Sequence, residues 1–557
     1  MDKFFIFATN TKATRVMHNT FIVYIILVLV ILFLVMLAQK IKVSYPILLV
    51  VAGLVISFIP GLPPIEIDPE LIFVIFLPPL LYEAAWKTSW KELWKWRRVI
   101  ASFAFLIVLL TSGVVAVASN WLIPGFTLAL GFLLGGIISP PDAVSASSIL
   151  QSVKVPKRLI SIVEGESLLN DAASLIVFRF ALVAMNKGTF AFGDAVLNFF
   201  VVIIMGILTG IVIALVFFAI HRYLPTTPHI NIVLSFVAPY AMYIVAEEFH
   251  FSGVLAVVSG GLFLSVRSHL FLDHRSRIQG WNVWETISFV LNGLVFMLIG
   301  LELPVVIKDL GDVSLRTAIW YSAIISVLVI ILRIACTFGA SAFTVWVSRY
   351  ITTADNRPGW RGPLILGWTG MRGVVSLAAA LSIPVYLDNG SRFPERSLIL
   401  FITFSVILVT LVLQGLTLPT VIRWVNYKDP LDTMPEEEQD AAVKKKMSQA
   451  ALRVLKEQHA DKLQSNSLLQ SLQHRLEAEI DLLSAVPGTP GSETDSTHPE
   501  HFIPHYRQVY IELLNEQRQL LFKLNHKAEV DESIIRKYLS LLDIEEEKLF
   551  VQYDHAH

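Results

Sequence analysis

Gly131-Phe-Leu-Leu-Gly-Gly-Ile-Ile-Ser-Pro-Pro-Asp-Ala-Val-Ser145 starts as an apolar helix that it cannot continue. Tandem Pro140-Pro141 removes two backbone donors and crowds the preceding turn, so the hydrogen-bond ladder breaks, and Asp142 stands at the break. A second apolar segment carries a matching interruption, Gly367-Trp-Thr-Gly-Met-Arg-Gly373. Inside a bilayer such breaks survive only where the freed backbone groups are buried in protein or line a cavity. Two breaks at corresponding places predict crossing broken helices in two inverted repeats.

The remainder of the chain supplies the membrane-spanning frame. Of 557 residues, 55% are hydrophobic and 16% charged, with mean hydropathy +0.64, which is too apolar for an ordinary soluble chain. A hydrocarbon core of ~30 Å takes about 20 apolar residues per helix, and about thirteen runs qualify. They fall near residues 20–38, 44–60, 70–86, 98–119, 126–150, 160–185, 190–220, 230–248, 253–267, 280–302, 314–348, 361–386 and 396–424. The expected fold class is an all-α polytopic membrane protein of about 13 transmembrane helices, with the fifth and twelfth broken. The net charge of −1 offers no basic excess for nucleic acid, and the single cysteine, Cys336, excludes an internal disulfide framework or a thiolate-rich metal site.

Lys and Arg concentrate in alternate loops, around Lys40 and Lys42, Lys87 to Arg98, Lys154 to Arg158, Arg222, Arg267 to Arg277 and Arg349 to Arg361. By the positive-inside rule these face the cytoplasm, with the N-terminus outside and the C-terminus inside. Lys3, Lys12 and Arg15 run against that assignment. Met1 to Thr20 is polar and basic and lacks the pattern of a cleaved signal, while Phe21 to Ala38 can serve as an uncleaved anchor. The expected domains are a transmembrane unit, residues 1–425, and a cytosolic helical tail, residues 426–557, with a Pro/Gly/Ser-rich linker near 486–500. Apolar residues recur at helical spacing over Asp432 to Leu483 and again near 502–526 and 531–551. His498, His501 and His505 cluster at the linker, where solvated histidines are the expected state rather than metal ligands.

Charged side chains within hydrocarbon cost at least ~2.5–3.5 kcal/mol each, so the few that occur mark cavities and function. Here they are Glu83, Asp142, Glu166, Asp171, Arg179, Glu247, Glu248, Arg333 and Arg372. The densest cluster is Val163-Glu-Gly-Glu-Ser-Leu-Leu-Asn-Asp-Ala-Ala-Ser174. Ser167, Asn170, Asp171 and Ser174 recur at spacings of three and four, which gathers hydroxyl, amide and carboxylate on one side of the sixth helix. That is an oxygen-rich ligand set for a hard cation such as Na+. Asp171 at such depth requires a counter-charge, a cation or a proton, and Asp142 on the neighbouring broken helix makes two ionised carboxylates costly. Competition between proton and cation for one site couples their movement. Arg333 and Arg372 are placed to offset the remaining charge, with Glu166 a partner for one of them in a bundle-stabilising salt bridge. Glu83, after Leu77-Pro-Pro-Leu-Leu81, reads equally as a cavity residue or as an interfacial one beside Trp86 and Lys87.

Gly165-Glu-Ser-Leu-Leu-Asn-Asp171 with the following Ala-Ala-Ser-Leu-Ile-Val-Phe resembles the signature of the monovalent cation:proton antiporter-1 family, which holds NhaP-type bacterial antiporters and animal sodium/proton exchangers. Phe76-Leu-Pro-Pro-Leu-Leu-Tyr-Glu83, Gly135-Gly-Ile-Ile-Ser-Pro-Pro-Asp142, Phe296-Met-Leu-Ile-Gly-Leu-Glu302 and Gly370-Met-Arg-Gly373 extend the resemblance over about residues 20–425. The resemblance implies a homodimer with an elevator-like transport bundle that exchanges one Na+ for one H+. It implies Asp171 as the main ion ligand, Asn170 as the mark of electroneutral exchange, and Ser167, Asp142 and Glu83 as residues lining or coordinating the ion. Asp171, Asp142 and Ser167 are then the Na+ site, Glu166 a salt-bridge member and Arg333 a charge-balancing group. One departure stands out: Pro141-Asp142-Ala143 replaces the Thr-Asp-Pro common among relatives, so a threonine oxygen is missing; either Ser139 or Ser145 replaces it, or the site is looser and suits a larger ion, which leaves sodium over potassium open.

The expected activity is electroneutral Na+/H+ antiport, extending to Li+ or K+, by alternating access across a bacterial inner membrane. Potassium/proton exchange controlled by the tail, and a non-transporting ion sensor, stay open beside it. No enzyme activity and no cofactor are expected, because an Asp142/Asp171 protease dyad leaves the Asn and Ser ligands unexplained. A regulatory ligand is expected on the tail.

Overall fold

The computed structural model describes residues 25–41, 43–59, 69–153, 155–187, 192–310, 313–347, 359–388, 390–427, 436–460, 466–484, 502–525 and 532–553. Its named elements are all helical, and among the described residues one isolated β-bridge joins Tyr386 to Arg392. The chain divides into two compact units, residues 1–428 and 429–557.

The first unit contains α1 (Ile25–Ile41), α2 (Tyr45–Ser57), α3 (Pro69–Lys87), α4 (Trp90–Leu122), α5 (Leu128–Ile138), α6 (Ala143–Ser152), α7 (Lys157–Lys187) and α8 (Phe192–Tyr223). It continues with α9 (Pro228–Glu248), α10 (Gly253–Phe271), α11 (His274–Lys308), α12 (Leu315–Val347), α13 (Arg361–Trp368), α14 (Val374–Leu381) and α15 (Arg396–Val425). Among the described residues nine helical stretches are long and apolar enough to cross a bilayer, and α1 and α2 are shorter apolar helices. The helices follow the expected apolar runs. The first residues of the first run, Lys3, Lys12, Arg15 and Lys154 lie outside the described residues. The helix expected near 98 starts at Trp90, because Ser89 caps it and Trp90, Trp94, Arg97 and Arg98 form an amphipathic turn suited to the interface.

Packing of α4 against α5 depends on missing side chains. A Cβ on Gly131 or Gly135 would lie 2.6 Å from the carbonyl oxygen of Ala116 or Ser112, respectively. In a lipid environment, where burial of apolar surface does not drive helices together, such backbone approach supplies the contact.

Both predicted breaks are present. The chain leaves α5 at Ser139, runs extended through Asp142 and restarts as α6; it leaves α13 at Thr369 and restarts at Val374 as α14. The two unwound strands touch where the Asp142 N–H donates to the Met371 carbonyl at 2.6 Å. Two π-helical turns, Ser102–Ile107 in α4 and Thr410–Gln414 in α15, flank this crossing. Such turns expose backbone and re-aim side chains, and both do so here, as described below.

The second unit holds α16 (Glu436–Gln458), α17 (Ser467–Ser484), α18 (Phe502–Asn525) and α19 (Glu532–Tyr553). The stretch expected as one helical run, Asp432 to Leu483, is thus divided between α16 and α17. Ser448 donates to Glu479 at 3.1 Å and Lys456 pairs with Glu477 at 2.8 Å, which joins α16 to α17. Arg518 joins α18 to α19 through Asp543 and Glu546. The linker near 486–500, with His498, and His501 lie outside the described residues.

Candidate functional site

Glu164, Ser167 and Asp171 recur at i, i+3 and i+7 along α7, so helical geometry puts them on one stripe. That stripe forms one wall of a cavity of about 780 Å³. Asp142 and Val144 from the first break, Val374 and Val375 from the second, and Glu83 from α3 close it further, with α11 on another side. Asp171 is 7% exposed, and among the described residues nothing donates to its carboxylate and no cation pairs with it. Its carboxylate is left for whatever enters the cavity.

Asp142 is differently engaged. It is the N-cap of α6, with Oδ1 accepting from the Val144 N–H at 3.1 Å and Oδ2 accepting from the Ser145 N–H at 3.3 Å and the Ser145 hydroxyl at 2.7 Å. A Cβ at Gly373 would collide with the same carboxylate, so the uncapped N-terminus of α14 also abuts it. One acid therefore faces the positive ends of two half-helices. The crossing needs a glycine at 373 for that approach.

Arg372 does the complementary work on the carbonyl ends. Buried to 1% exposure, it donates from Nε to the Ile138 carbonyl at 2.9 Å and from its two Nη groups to the Gly370 and Ser139 carbonyls. Its own N–H donates to Thr410 Oγ1 at 3.2 Å, the hydroxyl presented by the π turn of α15. The C-terminal ends of α5 and α13 thus share one guanidinium, as the dipole of each half-helix favours.

Arg333 is the partner of Glu166. Its two Nη groups meet the two carboxylate oxygens at 2.5 and 2.6 Å, with both residues about fully buried, 2% and 1% exposed. Phe103, from the π turn of α4, lies under the guanidinium at 5.7 Å. This pair is closed: bidentate, desolvated and absent from the cavity wall.

Other predicted residues distribute as follows. Ser167 lines the cavity and accepts the Ala143 N–H at 3.1 Å, which ties α7 to the first break. Asn170 is fully buried and donates from Nδ2 to the Pro141 carbonyl at 3.3 Å, with its Oδ1 unpartnered among the described residues; it braces the crossing and is not part of the cavity wall. Ser174 is spent on the Asp171 carbonyl. Glu83 lines the cavity and pairs with Lys87 one turn on, at 2.5 Å. Ser145 donates to Asp142 and Ser139 to the Gly136 carbonyl, so neither hydroxyl lines the cavity in place of the missing threonine. Arg179 pairs with Glu247 on α9, beyond Asp171, beside a second pocket of about 300 Å³.

Sequence reasoning passed over Glu164, which lines the cavity with its Oε1 at 3.3 Å from the Ser147 hydroxyl. Its i, i+3, i+7 relation to Ser167 and Asp171 was the available signal. It also passed over the polar residues of α11.

A bundle with two crossed broken helices, an unpaired acid in a deep cavity and compensating charges at the half-helix ends is the architecture of a secondary ion transporter. The description "Sodium/hydrogen exchanger, transmembrane" matches residues 25–424, and the chain belongs to that family. It is 33% identical over 427 residues to the sodium, potassium, lithium and rubidium/H+ antiporter of Bacillus pumilus, covering 74% of this chain and 62% of that protein. An uncharacterized Na+/H+ exchanger of Mycobacterium tuberculosis is 30% identical over 520 residues, covering 92% of this chain and 93% of the other. Among solved structures, the sodium proton antiporter MjNhaP1 from Methanocaldococcus jannaschii superposes with a TM-score of 0.59 at 18% identity, over 72% of this chain and 97% of that one. The likeness to MjNhaP1 is one of fold.

Proposed function

We propose that the chain is an electroneutral Na+/H+ antiporter working by alternating access, with Asp171 as the group that takes up Na+ or H+ in turn. The observation that carries this reading is the contrast within the cavity wall: Asp171 is 7% exposed, yet no cation among the described residues compensates it. A lone buried carboxylate must be neutralised by a proton or a cation, and one charge on either gives one-for-one exchange. Ser167, beside it on the stripe, contributes a hydroxyl oxygen, and Asp142 contributes negative potential while capping α6. Glu164 and Glu83, the latter paired with Lys87, line the path with carboxylate oxygens. Asn170 holds the crossing, and the Glu166–Arg333 pair and Arg372 carry the structural charge.

On this reading the protein resides in a bacterial plasma membrane, crosses it about thirteen times, and acts as a homodimer with an elevator-like bundle. The cavity mouth, near Lys87 at the end of α3, Thr88 after it and Asn282 of α11, is cytoplasmic by the distribution of Lys and Arg, with the N-terminus outside. The helical tail, residues 426–557, is a cytosolic regulatory domain that takes a ligand or partner.

Potassium/proton exchange is the second reading. Two observations favour it: Pro141 leaves the first break without a threonine oxygen, and the Bacillus relative is named for several alkali cations. Dye-quench exchange in proteoliposomes with Na+, Li+ and K+ in turn separates the two. Exchange with Na+ that disappears in Asp171→Asn supports the leading reading. Exchange at the wild-type rate in Asp171→Asn overturns it. Competition also predicts that the half-saturating Na+ concentration rises as pH falls, by up to about tenfold per pH unit, the mass-action limit for two ligands at one site.

A further inference from the structure

Helix α11 lines the cavity with Asn282, Glu285, Ser288 and Asn292, spaced three, three and four residues apart, so one polar stripe descends that face. Exposure falls along it. Asn282 and Glu285 are exposed, whereas Ser288 is 5% and Asn292 6% exposed. Each of the two deep residues carries a buried oxygen, Ser288 Oγ and Asn292 Oδ1, with no hydrogen-bond partner among the described residues.

A buried polar atom without a partner costs about 1–3 kcal/mol, and native proteins rarely leave one unexplained. Polar residues that merely hold membrane helices together bond across the interface, as His221, Asn231 and Ser276 do in this molecule, at 2.8 and 3.0 Å. Ser288 Oγ and Asn292 Oδ1 have no partner among the described residues and, unlike the similarly unpartnered Asn170 Oδ1, belong to residues of the cavity wall. The surrounding helix is otherwise tightly constrained, with α11 packed against α2 where Gly53 meets Gly300 and with Tyr45 of α2 set against Phe289 and Phe296. Rotating α11 to find partners would break those contacts.

Resting on the antiport reading above, we propose that Ser288 and Asn292 are cation-selecting residues: their oxygens replace water around a partly dehydrated alkali cation on its way through the cavity to Asp171. A monovalent cation shedding water needs oxygen from more than one side, and the α7 oxygens, those of Glu164, Ser167 and Asp171, all come from one wall. The α11 stripe supplies the facing oxygens. Because these ligands are neutral, they add coordination without adding a charge that would hold the ion, and they favour the cation whose size fits between the two helices.

The test uses the full chain in proteoliposomes, with half-saturating Na+, Li+ and K+ concentrations, maximal rate and pH profile measured for Ser288→Val, Ser288→Thr, Asn292→Leu and Asn292→Gln. Valine and threonine have the same shape and differ in the hydroxyl, so the pair keeps the comparison valid where a smaller residue would unfold the bundle. Losing either oxygen is expected to raise the half-saturating cation concentration about three- to tenfold, the worth of one modest polar contact, with unequal effects on the three cations. Maximal rate and the proton dependence at saturating cation change less, and Ser288→Thr restores wild-type affinity. Equal half-saturation in Ser288→Val and Ser288→Thr, with an unchanged order of cations in the Asn292 variants, overturns the inference while leaving antiport intact. Absence of exchange by the wild type with every cation overturns the antiport reading itself, and this inference with it.

Discussion

Two carboxylates on α7 lie five positions apart and live in opposite surroundings. Glu166 is 1% exposed and clamped by both nitrogens of Arg333, while Asp171 is 7% exposed and meets no cation among the described residues. The helix is the same and both side chains are buried, so the difference lies in what faces each of them. Glu166 looks toward α12, where a guanidinium is fixed over Phe103; Asp171 looks into a cavity. A charge that is permanently compensated can only hold structure. A charge left open requires a mobile partner, and mobility of that partner is transport.

The largest effect expected from this contrast is on stability. Glu166→Gln or Arg333→Met leaves a buried charge unpaired and is expected to cost about 3–5 kcal/mol, seen as loss of folded protein in size-exclusion traces and a lower unfolding temperature in detergent. Replacing both, Glu166→Leu with Arg333→Met, is expected to recover most of that loss, since a buried pair barely outweighs its own desolvation. Asp171→Asn should do the reverse of the single Glu166 change: stability holds or rises, because an uncompensated charge is removed. Equal destabilisation by Glu166→Gln and Asp171→Asn would break the distinction between the two sites.

A smaller effect sharpens the role of Asp142, which stands between the two cases because its charge is met by helix ends rather than by a cation. Asp142→Ala removes the cap of α6 and is expected to cost about 0.5–2 kcal/mol in thermal unfolding. Asparagine caps as well as aspartate, so Asp142→Asn is expected to keep most of that stability while changing the cation dependence of exchange. If Asp142→Asn loses as much stability as Asp142→Ala, the charge at the crossed helix ends matters more than the cap.

Much of this was legible in the sequence because it depended on local rules. Tandem prolines break a helix wherever they stand, and a glycine-rich interruption at Gly367 to Gly373 announced the partner break. The stripe of Ser167 and Asp171 followed from helical periodicity. Asn170 was placed with them, but successive residues turn by about 100° around a helix, and that turn aims Asn170 at the Pro141 carbonyl. The choice between Arg333 and Arg372 for Glu166 was not legible: the partners are 167 positions apart, and only the tertiary fold brings the Arg333 guanidinium to Glu166 while Arg372 is taken up by the carbonyls of Ile138, Ser139 and Gly370. The α11 stripe had the right spacing, yet its uncharged members drew no notice beside the charges.

The smallest expected effect concerns the other ion pair on α7, Arg179 with Glu247. Arg179 lies about 12 Å further along the helix axis than Asp171, on the side away from Glu164, and meets Glu247 of α9. Glu247 also accepts the Gly253 N–H at 3.1 Å, which anchors it to the first residue of α10. By partner type the pair resembles Glu166–Arg333, but its side chains are 40% and 27% exposed, so solvent screens it and charges released by mutation can be hydrated. Arg179→Gln is therefore expected to cost about 0–1 kcal/mol and to lose even that difference from wild type as salt is raised, read by thermal unfolding over a range of ionic strength. A loss near that of Arg333→Met, insensitive to salt, would mean that the far end of α7 is held as rigidly as the Glu166 end. The helix would then be fixed on both sides of Asp171, and alternating access would have to come from movement of the crossed half-helices instead of α7.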